Sequence, residues 1–206
     1  MRFASISPSN AEQLLAAGVP ARPLRHALRA LDCARARGVV EGSTLTLIDY
    51  TRPSALRRLW VLDLERGQVR FHELVTHGRG SGEAVSTRFS NVAGSHQSSL
   101  GLFRTAETYV GRHGYSLRLD GLEKGINDRA RDRAIVIHGA EYATPVVARQ
   151  FGRLGRSWGC PAVDPAVHRA LIDTVRGGTA VFAYYPDPDW LAGSDYQSCE
   201  ISTAAR

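Results

Sequence analysis

Thr44-Leu45-Thr46-Leu47-Ile48-Asp49-Tyr50 is the stretch where the period of the chain changes. Upstream, apolar residues recur at helical spacing; from Thr44 onward they alternate with polar ones, the pattern of a strand with one buried face. Leu59-Trp60-Val61-Leu62-Asp63-Leu64 and the stretch 69–75 repeat the alternation, and Glu65-Arg66-Gly67-Gln68 between them reads as a hairpin turn. Upstream, Ser9 or Asn10 caps a short helix through Glu12 to Leu15 that Gly18 ends. Pro20 and Pro23 set up a second helix with Leu24, Ala27, Leu28, Leu31 and Ala34 on one face, stopped by Gly38. Downstream, residues 78–98 are polar and rich in Gly, Ser and Asn, a loop long enough to have a function. Short strands follow at 100–104, 108–110 and 116–119, and Ala134-Ile135-Val136-Ile137 suits a buried central strand that delivers His138 and Gly139. Thr144 and Pro145 open a short helix, 152–159 form a second Gly-rich loop, 165–176 a helix, and 179–185 a last strand. These readings predict a mainly β, α+β protein with a β-sandwich-like body. It is organised as an N-terminal helical segment (1–40) packed on that body, the body itself (41–190) and a polar tail (191–206).

A chain of 206 residues with 43% hydrophobic and 22% charged side chains has the size and composition of one globular domain. No apolar run approaches the roughly 20 residues of a membrane span. The net charge of +6 comes from scattered arginines, Lys124 being the single lysine, with no basic block. Anionic small substrates fit that charge equally well, and a basic balance alone is weak ground for nucleic acid, which is not expected as a partner. Three cysteines without CxxC spacing argue against a structural zinc site and a disulfide scaffold. At most one bridge, Cys33–Cys199, can form; Cys33 lies in an apolar helical pattern and reads as core, while Cys199 sits in the polar tail. His72, His77, His96 and His113 show no HxxH or HxxxH pair and read as solvated, so neither metal nor organic cofactor is expected. The first residues lack the apolar core of a signal peptide, which fits a cytosolic protein or one whose leader has been removed.

The chemistry concentrates in Ile135-Val136-Ile137-His138-Gly139 and, 22 residues after the histidine, Cys160 in Gly155-Arg156-Ser157-Trp158-Gly159-Cys160-Pro161. A cysteine between a Gly-rich loop and a proline is badly placed for packing, whereas a histidine at the end of a buried strand is rigidly held. The pair supplies a nucleophile and a base. Gly159 admits close approach of a substrate, and the N–H groups around Trp158, Gly159 and Cys160 suit a developing oxyanion. Papain-like enzymes place the Cys before the His, caspase-like enzymes space the pair about 50 residues apart, and phosphatase loops need an Arg shortly after the Cys; none fits.

His138-Gly139 followed by Ser157-Trp158-Gly159-Cys160 resembles the L,D-transpeptidase catalytic domain, the YkuD-like family of bacterial peptidoglycan metabolism, and in wider pattern its Gram-negative murein branch. Ser98 to Thr105, Gly111 to Glu123 and Gly155 to Val163 carry that wider likeness, which covers roughly residues 40–186. The resemblance implies that Cys160 forms a thioester with a stem peptide at the L-to-D bond after diaminopimelate. His138 takes the thiol proton, and the Gly139 carbonyl orients the imidazole. The acceptor is an amine, giving a cross-link, or water, giving L,D-carboxypeptidase or wall-protein-releasing activity. It also implies a periplasmic, cell-envelope location and sensitivity to carbapenems. Pro161 and Ala162 stand where most members carry an Arg, and Arg156 is the substitute considered. Ser157, Ser99, His96, Tyr115 and Tyr142 are the further substrate-binding candidates. Ser157 has the alternative of bonding its own loop, and Trp158 reads as a plug rather than a platform. The rivals from other classes are a non-catalytic peptidoglycan-binding module and a cytosolic cysteine hydrolase.

Overall fold

The structure, a computed structural model, describes residues 4–199. Helices α1 (Pro8–Ala16) and α2 (Ala21–Ala36) precede strands β1 (Thr44–Asp49), β2 (Leu59–Asp63) and β3 (Gln68–Glu73). After the long loop come β4 (Gly101–Gly111), β5 (Gly114–Gly121) and β6 (Val136–Gly139), then α3 (Pro145–Phe151) and β7 (Ala162–Val163). Helix α4 (Pro165–Val175), β8 (Ala180–Tyr184) and α5 (Pro188–Gly193) complete the described chain. The eight strands form one mixed sheet in the order β3-β2-β1-β8-β4-β5-β6-β7, parallel at β1–β8 and β6–β7. The sheet curls until its ends meet. Beyond β3, the Thr76 N–H donates to the Ala162 carbonyl at 2.9 Å, and the Ser157 N–H donates to the His77 carbonyl at 3.0 Å. The mainly β, α+β body is therefore nearly closed and barrel-like, the layers of the sandwich-like form being parts of one sheet.

Several elements differ locally from the sequence reading. Ser7, not Ser9 or Asn10, caps α1, accepting from the Asn10 N–H. The Asn10 amide instead donates to the carbonyls of Leu64 and Glu65 in the β2–β3 turn. Gly67 is required there: a Cβ would stand 2.9 Å from the Asn10 Cα. The strands expected at 100–104 and 108–110 are one, β4, with a register shift between Thr105 and Thr108. Such a shift exchanges the inward and outward faces, so the alternation breaks and the sequence reads as two strands. Strand β6 starts only at Val136, after Ala134 in the left-handed region (φ 53°), and is penultimate in the sheet rather than central. Residues buried in α2 (Leu24, Leu28, Leu31) belong to the same apolar core as β1, β2 and β8. Cys33 is not a free core thiol: it is bonded to Cys199, which fastens the described end of the chain to α2. Tyr196 under Arg37, and Gln197 hydrogen-bonded to His26, pack the same segment, so the described part of the tail is docked beside α2.

Beneath the long loop lies an unusual buried cation. The Arg58 guanidinium is fully buried and, among the described residues, has no carboxylate within 4.0 Å. It donates to the carbonyls of Val75 and Arg52 and to His77 Nδ1 at 2.8 Å. His77 is thereby held neutral with its proton on Nε2, which donates to the Gly82 carbonyl. Burial first, and the Arg58 charge second, pull its pKa down to about 4. A histidine that the fold keeps neutral binds fewer protons than it does unfolded. Its contribution to stability is therefore complete above about pH 6.5 and is lost as the pH falls toward 4, by about 3 kcal/mol. Urea unfolding at pH 7 and pH 4.5 is expected to show that loss in the wild type and a clearly shallower pH dependence in His77→Gln.

Candidate active site

Parallel pairing of β6 with β7 sets His138 opposite Ala162, two residues beyond Cys160. Both side chains open on one cavity of about 360 Å³. His138 is almost wholly buried, and its Nδ1 lies 2.9 Å from the Gly139 carbonyl. A carbonyl only accepts, so the proton sits on Nδ1 and the Nε2 lone pair is free. Burial holds the imidazole below its ordinary pKa, opposed by the Gly139 carbonyl and reinforced by His113 and His168. The half-buried Cys160 thiol donates to the Ala134 carbonyl at 3.5 Å and, among the described hydrogen bonds, makes none to His138. Burial pushes this thiol up, while the Val136 N–H and the Arg133 guanidinium pull the other way. Thiol and imidazole are thus both neutral at rest.

The loop that carries Cys160 is held by its own atoms. Ser157 Oγ donates to the Cys160 carbonyl at 2.7 Å and accepts from the Gly159 N–H at 3.1 Å. Ser157 is therefore a loop clasp rather than a free substrate contact, and the Gly159 N–H is already spent. The N–H groups of Trp158 and Cys160 donate in none of the described hydrogen bonds. Gly159 itself (φ +123°) makes room for protein rather than for a ligand: a Cβ would stand 2.8 Å from the Gln97 carbonyl oxygen.

A family model described as the L,D-transpeptidase catalytic domain (YkuD_2) matches residues 16–184. The chain belongs to this family. Solved structures similar to it include an L,D-transpeptidase from Mycobacterium smegmatis (12% identity, 69% of this chain and 58% of that one, TM-score 0.44). Others are the helical cell shape determining protein Pgp2 from Campylobacter jejuni (15%, 68% and 46%, 0.45) and an L,D-transpeptidase from Stackebrandtia nassauensis (14%, 79% and 66%, 0.40). The chain spans about half of the length of the first two. No curated protein matches it.

The remaining candidates in this L,D-transpeptidase domain separate clearly. Tyr142 lines the cavity beside Cys160, and its hydroxyl has no partner among the described hydrogen bonds. Arg156 also lines it, but its Nη1 is committed to the Glu83 carboxylate at 2.5 Å and the Gly82 carbonyl at 3.1 Å, which pins the long loop. Ser99 does not reach the cavity; it is buried, bonded to the Ser90 carbonyl and to Arg133. Tyr115 points away, its hydroxyl on Asp173 of α4 and its ring under Arg169. His96 stacks on Trp158 (4.9 Å), and Arg79 donates to His96 Nδ1 while lying over the same indole. Because Arg79 and His96 are hydrogen-bonded side by side, both cover one indole face. Trp158 is 60% exposed, so it is a surface at the cavity rim and not a plug.

Sequence reasoning missed Arg133, Arg112 and His113, which also line the cavity. Arg133 carries no local signal; it matters because its guanidinium reaches the carbonyls of Ser90 and Gln97 and so straps the long loop beside Cys160. Arg112 and His113 sit between Gly111 and Gly114, a legible turn whose destination over the site was not. Gly159→Ala combines a left-handed backbone with a clash against backbone. It is expected to cost about 1–3 kcal/mol in thermal unfolding and to change the alkylation rate of Cys160, with the wild-type loop as reference.

Proposed function

We propose that this domain is a cysteine acyltransferase acting on peptidoglycan stem peptides, with Cys160 as nucleophile and His138 as general base. Rotation of the thiol away from the Ala134 carbonyl brings Sγ to the free Nε2 lone pair. Sγ then attacks the carbonyl of diaminopimelate at its L-to-D bond while His138 takes the thiol proton. The N–H groups of Trp158 and Cys160 face the oxyanion, a revision of the Trp158 and Gly159 pair. Collapse breaks the C–N bond, and the proton on His138 goes to the leaving amine. An amine or water then attacks the thioester, His138 takes its proton, and the thiolate leaves and is reprotonated. Cross-linking and L,D-carboxypeptidase activity share every step but the last acceptor.

The observation that carries this reading is the shared cavity: Cys160, His138 and three arginines line it, and no carboxylate side chain does. Such a lining suits the free carboxylates of a stem peptide. Of the three cations, Arg156 is paired with Glu83 and Arg133 is bound to loop carbonyls, whereas Arg112 has no hydrogen bond or ion pair among the described residues. Arg112 is thus the guanidinium available to a substrate carboxylate. The Cys33–Cys199 bond supports an oxidising compartment, and hence the cell envelope. Among the described residues no helix is long and apolar enough to cross a membrane.

Mass spectrometry after incubation with a carbapenem is expected to show a Cys160 adduct in the wild type, none in Cys160→Ala and a much slower one in His138→Ala. Product analysis on purified muropeptides then names the acceptor. Wild-type turnover by Cys160→Ala overturns the proposal, and retention of stem peptide without an adduct makes the domain a binding module instead. Arg112→Ala is expected to raise KM about tenfold with little change in kcat, the loss of one charge-assisted contact.

A further inference from the structure

The base of the proposed reaction is buried, yet it borders an open cavity, so something other than the sheet must shield it. His138 stands between Ser116 on β5 and Ala162 on β7, and His168 of α4 lies against Gly139. The exposed side of the imidazole is met by His113, whose ring stacks on it with centroids 4.4 Å apart and planes inclined by 24°. His113 sits at the tip of the β4–β5 hairpin and makes no side-chain hydrogen bond among the described residues. The turn does not require it, since Gly114 (φ +72°) supplies the left-handed position. A flat side chain at an exposed tip, held by stacking alone, has its visible consequence at the base beneath it.

We infer that His113 is the cover of the general base, a positioning residue that excludes water from the His138 ring and keeps it unprotonated between turnovers. The inference rests on the assignment of His138 as base. Water reaching the ring stabilises its charged form, so covering it favours the lone pair that takes the thiol proton. The other groups on the cavity that His138 borders are cationic or neutral: Arg133 ahead of β6, Arg112 beside His113, Arg156 and Cys160 from the loop before β7, and Tyr109 and Tyr142, with His168 of α4 behind Gly139. No carboxylate among them compensates the loss of the cover.

The experiment follows the His138 imidazole by NMR titration in the wild type, His113→Ala and His113→Phe, alongside Cys160 acylation against pH. His113→Ala uncovers the ring and removes the His113 contribution that holds the imidazole down, and both changes move the His138 midpoint upward. Acylation at pH 5 then falls about tenfold relative to the wild type. His113→Phe keeps the stack without the second imidazole and is expected to retain most of the wild-type midpoint. An unchanged midpoint in His113→Ala overturns the inference, as does a shift in His113→Phe as large as that in His113→Ala. The titration reads the imidazole with or without turnover. A shifted midpoint with no Cys160 adduct in any protein therefore counts against the transferase reading alone.

Discussion

The two-residue parallel pairing of β6 with β7 is the contact on which the site depends. Parallel strands cannot be joined by a tight turn, so the chain must leave β6 at Gly139, cross over through α3, and return at Ala162. The returning segment is the loop that carries Cys160. Register alone then fixes the relation between imidazole and thiol: His138 opposite Ala162 places Cys160 just outside the end of the ladder. A slip of one residue would turn His138 to the other face of the sheet.

A second constraint keeps that short ladder from fraying. β7 lies at the sheet's end, and the segment after β3 closes on it through Thr76, His77 and Arg79. The same segment holds the buried Arg58–His77 pair and leads into the long loop. Gly78 and Gly159 let the long loop and the backbone next to Cys160 approach each other closely, since a Cβ on Gly78 would lie 3.0 Å from the Gly159 Cα. Glycines placed here serve protein–protein contact within the fold. Cys160 is consequently presented by a loop packed between two others, with little freedom of its own.

Charge is distributed with a similar economy. The cavity is cationic, but two of its three arginines are engaged as fasteners of the long loop, one by carbonyls and one by Glu83. The third stands at a hairpin tip beside His113. Positive potential from Arg133 still reaches the cavity along with that of Arg112, because engaging a guanidinium with carbonyl oxygens does not remove its charge, whereas Glu83 offsets that of Arg156.

Strand and helix patterns, the His-Gly and Ser-x-Gly-Cys segments and the family likeness were all legible in the residues, because periodicity and local motif are properties of neighbours in the chain. The fate of each polar side chain was not. Ser157, Ser99 and Tyr115 look alike as candidates in one dimension, yet each is taken by a different partner: Ser157 by Cys160 within its own loop, Ser99 by Ser90 and the distant Arg133, and Tyr115 by Asp173 on α4. Arg156 likewise looked free until Glu83 came beside it, and Cys33 looked like core until Cys199 did. The strand β7 was invisible because two residues carry no period. By itself, then, the sequence determined the element types and singled out Cys160 and His138 as the candidate pair. Tertiary structure alone decided which donors, cations and rings remain unspent around them, since hydrogen-bond partners and burial depend on contacts between residues far apart in the chain.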